Sequence, residues 1–264
     1  MKTTEKVLVT VLTYPHPSES YDELICTAGI TERGDWVRLY PVDYRYRPRH
    51  QQFKKFQWIE VTLDSQGANN DRRKESRRPD LDSIKLLGEP LGTAKDWKER
   101  RQIIDRLPHH TLRELEALYE KDKTSLGILR PSIIHDIEIE EDDPDWKTSW
   151  KAIHDQLRLF PDMAVKELHK LPWKWSVVFS CSDSPKPHKR MIEDWEVGAL
   201  YLKEVARLGD ERKAAESVRS HYLNTVFSKS RDVRFFMGTR FPYNTWLIIG
   251  VFWPPMVQQA ELAF

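Results

Sequence analysis

With 264 residues the chain exceeds the usual single-domain size and has room for two modest cores. The hydrophobic share of 39% is low and the charged share of 31% is high, yet 10 Trp, 9 Tyr and 10 Phe supply core material that a disordered chain lacks. A formal net charge of +1 removes any argument for a polyanionic partner from total charge, and two distant cysteines, Cys26 and Cys181, exclude a disulfide framework and a zinc ribbon.

The opening Met1 to Lys6 leads into a short apolar run ended by Pro15, too short and too polar for a signal segment or a membrane span, so a cytoplasmic protein without membrane contact is expected. Val7 to Leu12, apolar on both faces, predicts a buried strand that stops at Tyr14-Pro15-His16-Pro17. Glu23 to Ile30 predicts a second strand, and the turn Glu32-Arg33-Gly34-Asp35 delivers a third at Trp36 to Pro41. Phe53 to Leu63 alternates clearly, with Ile59, Val61 and Leu63 opposite Lys54, Phe56, Trp58 and Glu60. A polar loop, Ser65 to Asn70, and a charged run, Asp71 to Arg78, precede a short strand at Ile84 to Leu87.

Helical spacing then takes over, around Trp97 to Ile104 and again through Leu112, Leu115, Leu118 and Tyr119 with Thr111 as cap. Ile133 to Ile139 predicts a strand running into the acidic loop Glu140 to Asp145; a helix over Thr148 to Leu159, a strand over Trp173 to Phe179 and a Pro-rich loop over Cys181 to Lys189 follow. Two helices, Met191 to Leu208 and Arg212 to Phe227, and two strands, Val233 to Met237 and Trp246 to Trp253, complete the chain. The expected fold is α+β and β-rich: a barrel-like unit over 1–92, a helical connector over 93–132 and a second β-rich unit with helices over 133–264.

No Gly-rich phosphate loop, Walker, Gly-x-Ser-x-Gly or His-Glu-x-x-His pattern occurs, so no cofactor and no catalytic motif are expected. Charge is nonetheless uneven. Arg33 to Arg78 carries twelve Lys and Arg against six Asp and Glu, a local excess of +6. Strand parity puts Trp36, Arg38 and Tyr40 on one face and Lys54 and Trp58 on another, the mixture of cations and rings that tracks phosphates and stacks bases. Lys55, Arg72, Arg73 and Arg77 extend this candidate surface for DNA or RNA. The alternative is that Trp36, Tyr40 and Trp58 form a second core under the helices, with the arginines reaching outward.

A second cluster, His188, Asp194 and Glu196, offers the side chains of a metal-dependent nuclease. On a helix Asp194 and Glu196 diverge, and acids in an opening turn simply favour the helix dipole. Cys181 with His188 gives half a zinc site, and no metal is expected.

The strings Cys26-Thr27-Ala28-Gly29-Ile30, Trp36 to Pro41, Phe53 to Val61, Asp71 to Ser76, Asp194-Trp195-Glu196 and Ile248 to Pro255 resemble a poorly characterised prokaryotic family described as a dual OB-containing domain. The resemblance spans nearly the whole chain. It implies two small barrels of the oligonucleotide-binding kind and genes in mobile or defence-linked neighbourhoods, and it carries no catalytic residues. The function expected is therefore recognition of nucleic acid, single-stranded or modified, by a sensor or specificity module working with an effector protein. The alternatives are the nuclease above and a protein-interaction scaffold.

Overall fold

The computed structural model describes residues 2–18, 22–64, 71–147, 168–240 and 244–257, so the expected loop at Ser65 to Asn70 and the helix at Thr148 to Leu159 lie outside the described residues. The chain is α+β with strand outweighing helix.

The N-terminal half is a closed barrel of β1 (Lys2–Leu12), β4 (Thr27–Thr31), β5 (Trp36–Leu39), β7 (Ser76–Leu87) and β6 (Gln57–Asp64), beside a small ribbon of β2 (His16–Ser18) and β3 (Asp22–Leu24). Every pairing in the ring is antiparallel except β5 with β7, and β1 closes the ring against β6. β1 shows why this segment is apolar on both sides. Val7, Val9 and Leu12 point into the barrel with Val37, Leu39, Ile59 and Val61, whereas Leu8 and Val11 point outward into a different core. A register shift between Val9 and Val11 reverses the alternation.

That different core joins the two halves of the molecule. Leu8, Ala28, Ile30 and Phe56 of the barrel pack against Leu126, Ile128, Phe236, Leu247, Ile249 and Phe252, with Trp97 and Ile104 contributed by the helix α1 (Ala94–Ile104). α2 (Leu112–Asp122) follows the strand β8 (His109–His110). It starts on a reciprocal cap in which Thr111 accepts from the Glu114 N–H and Glu114 from the Thr111 N–H.

The C-terminal half holds two sheets. One has the order β10 (Ile133–Glu141), β11 (Trp173–Cys181), β12 (Ser184–Met191); the other has β14 (Trp246–Phe252), β13 (Arg234–Thr239), β9 (Leu126–Leu129), β8. The sheets meet at both ends. β10 follows β9 after three residues, and Ile192 forms a parallel bridge with Ile248. The helices α3 (Trp195–Leu208) and α4 (Glu211–His221), the latter continued by a wide turn over Tyr222–Val226, cover a core of Trp175, Phe179, Tyr201, Val218, Phe235 and Met237.

Three sequence expectations change here. Cys181 to Lys189 is largely strand rather than loop, because Ser184 to Met191 pairs antiparallel with β11, and its prolines sit on the outer strand of the three, where missing N–H groups cost no ladder bonds. The helix expected from Met191 begins at Trp195, since Ile192 still bridges Ile248 and Asp194 is the cap. The charged run Asp71 to Arg78 is not an open loop, for it enters the twelve-residue strand β7 through a buried ion network. Among the described residues, no helix is long and apolar enough to cross a membrane.

Candidate functional site

The expected basic surface is taken apart by folding. Arg38 is 2% exposed. Its Nη2 donates to the Ser125 carbonyl and hydroxyl at 3.2 and 3.3 Å. Burial, reinforced by Arg73, lowers the Arg38 pKa to about 10. Glu75 completes the arrangement by accepting from Ser125 N and Oγ.

Arg73 is also buried. Its Nε and Nη2 grip Asp71 at 2.7 to 3.0 Å while Nη1 donates to the Thr239 carbonyl at 2.7 Å. Burial would raise the Asp71 pKa, but hydrogen bonds from Arg73 and Ser76 outweigh it and hold the carboxylate below its usual range. The string Asp71 to Ser76 is thus a seam between barrel and C-terminal half, with Asp71, Arg73 and Glu75 inward and Arg72 and Lys74 outward.

Trp36 and Trp58 pack partly buried against the shared core, Trp36 edge-on to Phe236 at 5.8 Å. Tyr40 is half-buried, with its N–H on the Arg77 carbonyl, and Arg77 is half-buried, its Nη1 donating to the carbonyls of Lys74 and Ser76. Of the expected binding residues Lys54 and Arg72 stand exposed. Much of the remaining positive charge in this stretch is neutralised by acids from elsewhere: Arg33 by Glu5, Arg45 by Glu23, Arg47 by Asp82 and Lys74 by Asp122.

Lys55 leads to a site that spacing does not reveal. Its Nζ lies 3.0 and 2.8 Å from the two oxygens of Asp194 and 3.4 Å from Glu196. Burial alone would lower the Lys55 pKa, but the two carboxylates hold the ammonium above its ordinary value. Asp194, buried at the head of α3 where it also accepts the Glu196 N–H, is pushed up to about 6 by burial against the pull of Lys55. His188 stands apart from both acids. It lies on β12 beside Phe179 at 5.7 Å, and burial and Arg190 lower its pKa. No group of three or more His, Cys, Asp or Glu side chains suited to a metal ion forms among the described residues.

Next to this ion pair opens a cleft of about 400 Å³, lined by Lys55, Phe56, Trp97, Arg100, Glu196, Arg231 and Trp253 among others. Cations and rings alternate through it. The Arg100 guanidinium sits 4.1 Å over Phe56 and 4.9 Å from Trp97, Trp97 meets Trp253 at 5.3 Å, and Arg231 lies 4.9 Å over Trp253. Burial lowers the Arg100 pKa, which still leaves the group charged near neutrality. Arg231 Nε is buried with no hydrogen-bond partner among the described residues. Arg101, Arg130 and Arg234 converge on Asp232, the neighbour of Arg231, and Arg234 also reaches Asp105.

The backbone around the cleft is strained. Phe56, Lys95, Asp96 and Trp97 all have left-handed φ, from 48° to 62°, although none is glycine. Each such residue costs of order 1–3 kcal/mol, and strain of this kind gathers where geometry is held for binding. The first turn of α1 thus departs from right-handed helix where it brings Trp97 into the shared core beside Trp253.

Sequence reasoning missed Arg100, Arg231, Trp97 and Trp253 as site residues. Their shared surface depends on the contact between the two halves, which no local period encodes. Residues 3–106 match the model of a family described as Domain of unknown function (DUF8758), and residues 108–263 match that of a second, Domain of unknown function (DUF8757). Comparison with curated proteins finds no match. The second match takes in more than half of the sequence, so the chain belongs to the DUF8757 family.

Proposed function

We propose that the protein binds nucleic acid in the cleft between its halves, through Arg100 and Arg231 stacked on Phe56, Trp97 and Trp253. The observation that carries this reading is the alternation of cation and ring at one strained cleft, with Lys55 already neutralised by Asp194 and Glu196. Arginine planes and aromatic faces accept bases of any sequence, while guanidinium groups release counterions from a phosphate backbone.

Strand order supports the same reading. In the first barrel the sequence of neighbours is first, second, third, fifth, fourth, with the one parallel pair between third and fifth, an order that a five-stranded Greek-key barrel of the oligonucleotide-binding kind would have. The second half follows the same path if β9 and β10 are taken as one bent first strand. β11 and β12 come second and third, β13 and β14 fourth and fifth, and the parallel bridge Ile192–Ile248 lies between third and fifth. On this reading the two barrels are fused face to face, and the strand face expected to bind is covered by the partner barrel. Recognition falls to the seam between them, and the chain acts as a reader rather than a nuclease.

The test is a titration of single-stranded DNA and RNA oligonucleotides at two salt concentrations against the full chain and against Arg100→Ala/Arg231→Ala. Affinity about 10-fold or more weaker in the variant, with a salt slope shallower by about 2, is expected. Equal affinity and slope would reject the cleft.

A further inference from the structure

On the other side of the Asp194 segment lies a second pocket, separate from the cleft. It encloses about 290 Å³, close to the lower end of the roughly 300–1,000 Å³ typical of ligand pockets, and so suits a ligand of one or two rings. Its lining includes Tyr14, His16, Trp146, Trp173, Glu193 and Arg240.

These side chains are built in. Tyr14 donates to the His169 carbonyl at 2.9 Å, and its ring lies against α3 at Gly198, where any Cβ would collide with it. Trp146 is fixed by its Nε1 on the Leu168 carbonyl at 3.0 Å and meets His16 edge-on at 6.2 Å. Lys170 and Lys174 neutralise Asp142 at the rim, at 2.6 and 2.8 Å, and Lys55 neutralises Asp194.

Two polar side chains of the lining bear on recognition, Glu193 and His16. Glu193 is 14% exposed, and its nearest cation, Arg240, stands 3.7 Å away, too far for a hydrogen bond. Its carboxyl oxygens accept no hydrogen bond that would occupy them among the described residues. Burial raises the Glu193 pKa, a sign that the carboxyl lacks adequate solvation. Burial, with Arg240 and Lys170, lowers the His16 pKa to about 4, so its ring is neutral near pH 7 and offers one donor and one acceptor.

We propose that this pocket takes a nucleobase bearing an exocyclic amino group, stacked among Tyr14, Trp146 and Trp173 and read on its edge by Glu193. A carboxylate accepts two parallel N–H bonds from a guanine edge and one from the amino group of adenine or cytosine, whereas uracil and thymine offer only a ring N–H flanked by two carbonyl oxygens that repel it. An aromatic cage without the carboxyl would bind any planar ring; the carboxyl confers the choice. The base can arrive as a free nucleoside or as an unpaired base of a polynucleotide. The second source rests on the nucleic-acid reading above, the first does not.

Tryptophan fluorescence titrations of the full chain decide it, using guanosine, adenosine, cytidine, uridine and thymidine, and hairpins whose single unpaired base is one of the amino-bearing bases, thymine or abasic. Binding of at least one amino-bearing nucleoside about 10-fold tighter than uridine and thymidine, with the preference lost in Glu193→Gln and all binding weakened in Trp146→Ala, supports the pocket with a free ligand. The same preference seen in the hairpins alone supports a polynucleotide source. Thermal melts verify that Glu193→Gln is folded; if it is not, Trp146→Ala and the base series carry the test. Binding that does not distinguish amino-bearing from other bases, or no binding of any probe, overturns the proposal. Salt-sensitive oligonucleotide binding untouched by Glu193→Gln, together with no amino-selective nucleoside binding, would sink the pocket and leave the cleft standing; nucleoside binding unaffected by Arg100→Ala/Arg231→Ala without any oligonucleotide binding would do the reverse.

Discussion

The outer face of β5 and the inter-half cleft are both made of arginine and tryptophan, and they have opposite fates. On β5, Trp36 and Arg38 alternate with Val37 and Leu39 as a binding strand would, yet the C-terminal half covers them: Phe236 takes the ring and Ser125 the guanidinium. In the cleft, Arg100 and Arg231 also lie on rings, but among the described residues no carboxylate bonds to either, and the space beside them is open. Alternation of cation and ring along one strand therefore marks a face that is covered, without saying whether protein or ligand covers it. What separates the two is the local balance of acids. Glu75 and Asp71 lie inside the first region, whereas in the second Glu196 already serves Lys55.

The sharpest way to break this contrast is Arg38→Ala. Removing a buried guanidinium leaves the Ser125 carbonyl without its donor and the buried Glu75 carboxylate without the nearby positive charge, and a loss of about 3–5 kcal/mol in denaturant unfolding is expected. Weakened oligonucleotide binding at full stability would instead restore Arg38 as a binding residue.

Lys55→Met comes next. It strands the Asp194 carboxylate, which is buried, and should cost about 3 kcal/mol. Lys55→Met/Asp194→Asn should be less destabilised than the sum of the two single variants, because asparagine keeps the α3 cap while removing the unpaired charge. Strict additivity in urea melts would show that the pair does not act as a unit.

These outcomes bear on how much of the molecule was legible beforehand. β6 follows its period of two, and the Thr111 cap and the helices α2 to α4 follow theirs, because each is written in contiguous residues. β12 was hidden by its prolines, which usually mark loops, and only pairing with β11, the preceding strand, turns them into outer-strand residues. The Asp71 to Ser76 network carries a trace of its structure, since inward Asp71, Arg73 and Glu75 alternate with outward Arg72 and Lys74. A period of two in charges looks the same on an exposed strand, so the trace cannot distinguish seam from surface. The cleft left none: Phe56, Trp97, Arg100, Arg231 and Trp253 come from segments up to about two hundred residues apart and meet through the shared core.

A smaller effect should come from Trp58→Ala against Trp253→Ala. Both rings are partly buried, but Trp58 serves the shared core, while Trp253 also lines the cleft. Trp58→Ala is expected to lower stability by about 2 kcal/mol, below the full cost of a buried ring, and to leave affinity per folded molecule unchanged. Trp253→Ala should weaken oligonucleotide binding by about 1–3 kcal/mol in addition to any loss of stability. Equal effects of the two on binding would remove the distinction between core and cleft.

The smallest expected effect is also the control for the whole contrast. Lys54 and Arg72 are the exposed members of the basic cluster, and among the described residues neither forms an ion pair. Replacing both by Ala should change unfolding free energy by no more than about 0.5 kcal/mol, because solvated charges far from other features contribute little. Replacing Lys54, Lys55, Arg72 and Arg73 together would mix these surface charges with two buried ones, and lost binding would then report lost folding. The split matters for the salt dependence as well. If Lys54 and Arg72 lie on the path of a nucleic-acid backbone leading to the cleft, their removal lowers the slope of log affinity against log salt by up to about 2 while sequence preference stays put. An unchanged slope, with Arg100→Ala/Arg231→Ala still reducing it, confines the contact to the cleft and leaves the first barrel as the support that holds Phe56 and Lys55 in position.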